Sequence, residues 1–89
     1  MNAFENQESE YEDWLRAHTE GFVFNHFAGS NPADDVIHRS SCSFLHRERD
    51  AGARTGYAKI CSDDLAEVEA EATSLRGGRD GWVRCSVCW

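Results

Sequence analysis

The stretch VIHRSSC, residues 36–42, sets His38 four residues before Cys42, and RCSVCW, residues 84–89, sets Cys85 three residues before Cys88. A short pair lets one turn present two donors to a common point, and the long interval between the pairs joins two halves of a fold. Thiolate and imidazole donors suit zinc, whereas magnesium and calcium take oxygen. The spacing predicts a tetrahedral Zn2+ site made by His38, Cys42, Cys85 and Cys88. Cys61 is the one further thiol and the reserve ligand, since putting it in place of His38 gives a four-cysteine site. It ends an apolar run, where a free cysteine often serves as a small buried hydrophobe, and this favours His38.

Two other uses of the cysteines compete with zinc. An even cysteine count in a short chain is also the signature of two disulfides. A redox Cys-x-x-Cys usually opens a helix whose dipole lowers the first thiol's pKa. Only Trp89 follows Cys88 in this sequence, so no such helix is expected. At 89 residues the chain is expected to form one domain with a thin core, which calls for a staple. Residues 1–10, MNAFENQESE, lack the apolar segment of a secretory signal. A cytoplasmic protein is therefore expected, in a compartment where cysteine clusters more often hold metal than pair. No apolar run approaches the roughly 18 residues that a membrane span needs, so no membrane association is expected.

Around these pairs the chain alternates helix and strand signals. Tyr11, Trp14, Leu15 and His18 recur at helical spacing, with Glu8, Glu10, Glu12 and Asp13 crowding the first turns. Residues 21–28, GFVFNHFA, read as a strand with Phe22, Phe24 and His26 on one face and Val23, Asn25 and Phe27 on the other. GSNPADD, residues 29–35, is a loop, VIH a short strand, residues 43–56 mostly loop, and YAKIC, residues 57–61, a strand. Ser62 is a candidate N-cap for a second helix, with Leu65, Val68, Ala72 and Leu75 as its buried stripe. RGGRDG ends that helix, and WVRCSVCW forms a final short strand or knuckle. The expected fold class is α+β: about two helices packed on a three- or four-stranded sheet, stapled by zinc.

Charge is divided sharply along the chain. The total is −7, which argues against nucleic acid as a partner. Residues 1–35 carry eight acids against Arg16, and residues 62–75 carry five acids and no base. Both ligand-bearing segments are locally basic: 36–61 is +3 from five bases against Glu48 and Asp50, and 76–89 is +2 from three arginines against Asp80. Arg39, Arg47, Arg49, Arg54, Lys59 and Arg84 are accordingly the candidate nucleic-acid contacts, since arginine binds phosphate bidentately. The same residues can instead neutralise the acidic helices within the molecule. His18 and His26 are expected to pack on a helix stripe and a strand face, while His46 lies near Cys42 in sequence.

VIHRSSC, YAKICSDDLAEVEAEA and GWVRCSVCW together resemble the metal-binding domain of the Ada-type DNA methylphosphotriester repair proteins and its wider Ada-like relatives. That family has Cys-x3-Cys, then a strand and helix, then Cys-x2-Cys. Residues 57–60 match the strand, 62–72 the helix and WVRC the approach to the last pair, so the resemblance covers about residues 35–89. It implies a zinc-bound fold. In the family the first cysteine of Cys-x3-Cys accepts the methyl group, and here that position is His38, which is not the alkyl acceptor. The long 43–56 segment and the inserted RGGRDG also depart from the pattern. Fold and metal carry over; the reaction does not.

The domain reading is a single compact unit in which residues 1–20 form an acidic amphipathic helix packed on an Ada-like zinc-binding domain, residues 21–89. The functional expectation is a non-enzymatic module with structural zinc that contacts nucleic acid or protein, with no small-molecule substrate. An alternative is an acidic adaptor or inhibitor acting through the Glu-rich N-terminal helix. A weaker alternative is a zinc-dependent enzyme or alkyl acceptor, which needs an open coordination position or a reactive Cys61.

Overall fold

The computed structural model describes residues 1–27 and 31–89; Ala28 of the expected strand and the first residues of the GSNPADD loop lie outside the described residues. Five strands form one sheet: β1 (Asn2–Phe4), β2 (Phe22–His26), β3 (Val36–Arg39), β4 (Ala58–Ser62) and β5 (Val83–Arg84). Their spatial order is β1-β4-β2-β3-β5. Neighbours run antiparallel except β5, which lies parallel to β3. Two helices, α1 (Glu8–Ala17) and α2 (Leu65–Arg76), complete the α+β fold.

The alternation of side chains along the central strands divides the core in two. Val23 of β2 stands opposite both His38 of β3 and Cys61 of β4, so these three share one sheet face. On that face α1 lays Tyr11, Trp14 and Leu15 into a cluster with Val23, Cys42, Leu45, Cys61 and Cys85. Phe24, Ile37 and Ile60 are the next register and point to the opposite face. There they meet Val68 and Ala72 of α2 and the ring of Trp82. Phe24 and Ile37 are fully buried, each worth about 1.5–3 kcal/mol of transfer free energy.

Several details differ from the sequence expectation. The sheet gains β1, whose three residues pair with β4 through Asn2↔Cys61, Ala3↔Ile60 and Phe4↔Lys59. Ser62 ends β4 rather than capping α2; its hydroxyl accepts from Asp64 N–H and donates to Glu67. The N-cap is Asp64, whose carboxylate accepts from Ala66 N–H. The inward stripe of α2 runs through Leu65, Val68 and Ala72 to Arg76, so Leu75 turns outward and is 43 % exposed. Arg76 reaches back to the buried carboxylate of Asp35 at 3.3 Å. Gly77 then closes the helix with φ 73°, a left-handed conformation that glycine adopts without a Cβ penalty. Between β3 and β4 the long segment carries two 3-10 turns, Ser43–His46 and Glu48–Asp50. Among the described residues, no helix is long and apolar enough to cross a membrane.

Candidate metal centre

Three local events bring the predicted donors together. β3 ends at Arg39, and a turn closed by Cys42 N–H on the Arg39 carbonyl (2.9 Å) brings Cys42 back beneath His38. β5 joins β3 in parallel, and Cys85 N–H donates to the Ile37 carbonyl at 2.9 Å, which sets Cys85 beside the strand that carries His38. The chain turns again after Cys85, and Cys88 is held by Arg39, whose backbone N–H donates to the sulfur at 3.4 Å. The result is one cluster in which ligand atoms of His38, Cys42, Cys85 and Cys88 all lie within 4.8 Å of one another.

That geometry suits a metal ion. The Cys42 and Cys85 sulfurs are 3.9 Å apart; with metal–sulfur bonds of about 2.3 Å, a tetrahedron sets its sulfurs about 3.8 Å apart. All four cysteines are free, so the disulfide framework is not formed. His38 Nδ1 is buried with no hydrogen-bond partner, an expensive state for a polar atom unless something coordinates it.

The surroundings act differently on the donors. Burial, then the charges of Lys59 and Arg47, pull the His38 imidazole down to about 4, leaving it neutral near pH 7. Metal binding requires that neutral form. Burial pushes the Cys42 thiol up to about 12, with Cys88 and Cys85 adding to the effect against a hydrogen bond from the Phe44 amide. Burial also acts to raise Cys85. Hydrogen bonds from the Val87 and Cys88 amides, together with its sulfur neighbours, outweigh it and bring Cys85 below the usual thiol range. An N–H group points at sulfur in each turn; at Cys85 these bonds win and favour thiolate, whereas at Cys42 burial outweighs them.

Cys61 is not in the cluster. β2 lies between β3 and β4, so Cys61 and His38 stand two strands apart, roughly 9–10 Å at the usual strand spacing. No single ion spans that. Cys61 is instead fully buried beside Val23, and burial pushes its thiol up to about 12.

The six candidate basic residues all have partners within the molecule. Arg54 binds Glu12 and the Arg47 carbonyl. Arg47 and Arg49 both reach Asp50, at 3.2 and 3.8 Å. Arg84 holds Glu69 at 2.6 Å. Lys59 is buried, with its ammonium on the Asn25 side-chain carbonyl. Arg39 differs: its guanidinium donates to the Cys88 carbonyl at 2.8 Å and lies 4.8 Å from the centre of the Trp89 ring. Arg84 also approaches Trp89, at 5.3 Å, and Trp89 stacks on Phe22. The other histidines keep clear of the cluster. His18 stacks on Trp14 and meets Asp63, His26 donates to Asp35, and His46 Nε2 donates to the Ser40 carbonyl within the first ligand turn.

No family model matches this chain, nor does any curated protein or solved structure.

Proposed function

We propose that the chain is a zinc-stapled interaction module in which His38, Cys42, Cys85 and Cys88 hold a structural Zn2+. The observation that carries this is the convergence of four soft donors from two distant turns on one buried point. Three sulfurs and an imidazole favour zinc over oxygen-seeking cations. A bound cation would supply the positive charge that lets all three sulfurs be thiolates. Four protein donors complete a tetrahedron and leave no open position for substrate, which supports a structural role over catalysis. The same four positions, together with β4 and α2, carry the resemblance to the Ada-like domain, with His38 standing where that family has its nucleophile.

The contacting face is inferred to lie beside the second turn, where Arg39, Arg84, Phe22 and the partly exposed Trp89 make a mixed cationic and aromatic patch. Such a patch suits stacking on an unpaired base next to phosphate. The test has two parts. Elemental analysis of the purified protein should return one zinc per chain, with loss of near-UV circular dichroism on chelation. Binding to a labelled single-stranded oligonucleotide should weaken with salt and in Trp89→Ala. Metal below about a tenth of stoichiometric after zinc-replete expression would remove the metal reading. Zinc without oligonucleotide binding would instead turn the search to basic proteins that meet the acidic face of α1.

A further inference from the structure

A second polar site lies beside His38. A cavity of about 250 Å³ there is lined by Tyr11, Phe44, Leu45, Arg47, Arg54 and Lys59 among others. It lies on the sheet face that carries α1, with Tyr11 and Lys59 buried and Phe44 and Arg47 exposed.

Its polar groups are short of partners. Lys59 is 8 % exposed and has no carboxylate within ion-pair distance among the described residues; its one side-chain partner is the neutral Asn25. The Tyr11 hydroxyl is buried with no hydrogen-bond partner, and so is Nε of Arg54. Asp50 is the one carboxylate in the lining, and Arg47 and Arg49 already hold it. Glu8 lies nearby, but it accepts from the Arg54 and Thr55 backbone amides and the Thr55 hydroxyl. Arg47 is held by Asp50 and Arg54 by Glu12, so Lys59 is the lining cation left without an acid among the described residues, in a protein of net charge −7. Burying a cation without a counter-charge and two donors without acceptors is unfavourable unless a ligand or water completes them.

We propose that this cavity binds a small organic anion, its carboxylate or phosphate head on Lys59, the Tyr11 hydroxyl and Arg54, and its apolar body against Phe44, Leu45 and Ala53. The inference stands on the cavity and its unpartnered donors and does not require the metal. It adds a ligand class that the sequence did not suggest.

Three probes separate the possibilities: benzoate, phenyl phosphate and inorganic phosphate, each titrated into the 15N-labelled protein as purified. Saturable amide shifts centred on Tyr11, Asn25, Arg54 and Lys59 are expected. Benzoate alone assigns a carboxylate ligand, phenyl phosphate alone a phosphate monoester, and either one should bind better than inorganic phosphate. Lys59→Met should weaken binding about tenfold or more, the effect of losing one charged hydrogen bond. Tyr11→Phe removes an unpaired hydroxyl, so it should leave the melting temperature unchanged or raised while weakening the same ligand several-fold. It therefore tests the site even if Lys59→Met fails to fold. No saturable shift from any probe at about 10 mM overturns the proposal, being weaker than the weakest useful affinity. Shifts that persist undiminished in Tyr11→Phe, or that map to Arg49 and Arg79 on the exposed surface, overturn it equally.

Discussion

Arg39 grips Cys88 at two points: its backbone N–H meets the sulfur at 3.4 Å and its Nε meets the carbonyl at 2.8 Å. The residue that follows one candidate ligand thus positions another, 49 residues away in sequence. The two contacts differ in what a substitution removes. Arg39→Ala keeps the backbone N–H and loses the guanidinium, with its hold on the carbonyl and its place over Trp89. Zinc stoichiometry should be unchanged, stability should fall by about 1 kcal/mol, and Trp89 should become more accessible to acrylamide quenching. Loss of metal from Arg39→Ala would show that the side chain, rather than the N–H, holds Cys88 in place.

The choice between His38 and Cys61 can be read from paired variants. Cys88→Ser and His38→Ala should each release zinc and unfold the chain under conditions where the parent is folded. Cys61→Ala should keep full zinc content and lose about 1–2 kcal/mol by leaving a small gap beside Val23. Elemental analysis alongside urea denaturation distinguishes them; zinc loss from Cys61→Ala alone would reverse the assignment.

The convergence of the two His/Cys pairs is legible because each lies in one turn, where spacing fixes proximity. Three strands were legible because Val23, Phe24, Ile37 and Ile60 alternate or run apolar in short segments bounded by turn residues. Strand β1 was not: Asn2–Phe4 carries a weak pattern and becomes a strand by pairing with β4, a long-range contact that no local signal encodes. Ser62 misled for a related reason, since a good cap sequence was overridden by the register of β4, and Asp64 took the role two residues later. Leu75 misled because Arg76 has a buried carboxylate to reach, which draws the last inward position of α2 to a charged residue. The cavity had no signature at all, because Tyr11 reads equally well as a core aromatic whether or not its hydroxyl finds a partner.

Gly21 tests the fit between α1 and the sheet. A Cβ there would come within 2.8 Å of Trp14, 3.0 Å of Asp63 and 3.1 Å of Ser40. Those three residues belong to α1, the link between β4 and α2, and the turn after β3. Gly21→Ala should therefore destabilise by about 1–3 kcal/mol through overpacking, measured by chemical denaturation. A neutral result would mean that the Trp14 ring moves aside freely.

Glu8 gives the fold an acid-sensitive joint. Its carboxylate accepts from the Arg54 amide at 2.7 Å, the Thr55 amide and the Thr55 hydroxyl, tying α1 to the segment before β4. Partial burial acts to raise its pKa, but these hydrogen bonds and the Arg54 charge outweigh it and hold the group below its ordinary 4.5. A carboxylate with a depressed folded-state pKa contributes stability that is present above the unfolded value and lost as pH falls through the folded one. Stability should decline as pH drops below about 4.5, and Glu8→Gln should flatten that decline while losing about 1–3 kcal/mol at pH 7. An unchanged acid limb in Glu8→Gln would assign the effect elsewhere.

Asp35 ties several parts of the fold together. Its side chain is fully buried; one oxygen accepts from His26 Nδ1 at 3.1 Å and the Phe27 amide at 3.0 Å, and the other faces Arg76 at 3.3 Å. Its main-chain carbonyl accepts from the Val83 amide at 2.9 Å, where β5 begins. The end of β2 and the end of α2 therefore meet at the Asp35 carboxylate, and the approach to Cys85 meets its main chain. Asp35→Ala leaves the largely buried Arg76 facing a gap and should destabilise by about 3–5 kcal/mol, as removal of one partner from a buried ion pair does. Arg76→Met should also be destabilising, because it strands the carboxylate. If the pair acts as a unit, the double variant should be less damaging than the sum of the two singles, with a coupling of about 1–3 kcal/mol. Asp35→Asn keeps the main-chain carbonyl that receives Val83, so zinc retention in a chelator competition should be unchanged while stability falls. Additive single variants would show that Asp35 and Arg76 do not act as a unit, and weakened zinc retention in Asp35→Asn would show that the carboxylate itself supports the second turn.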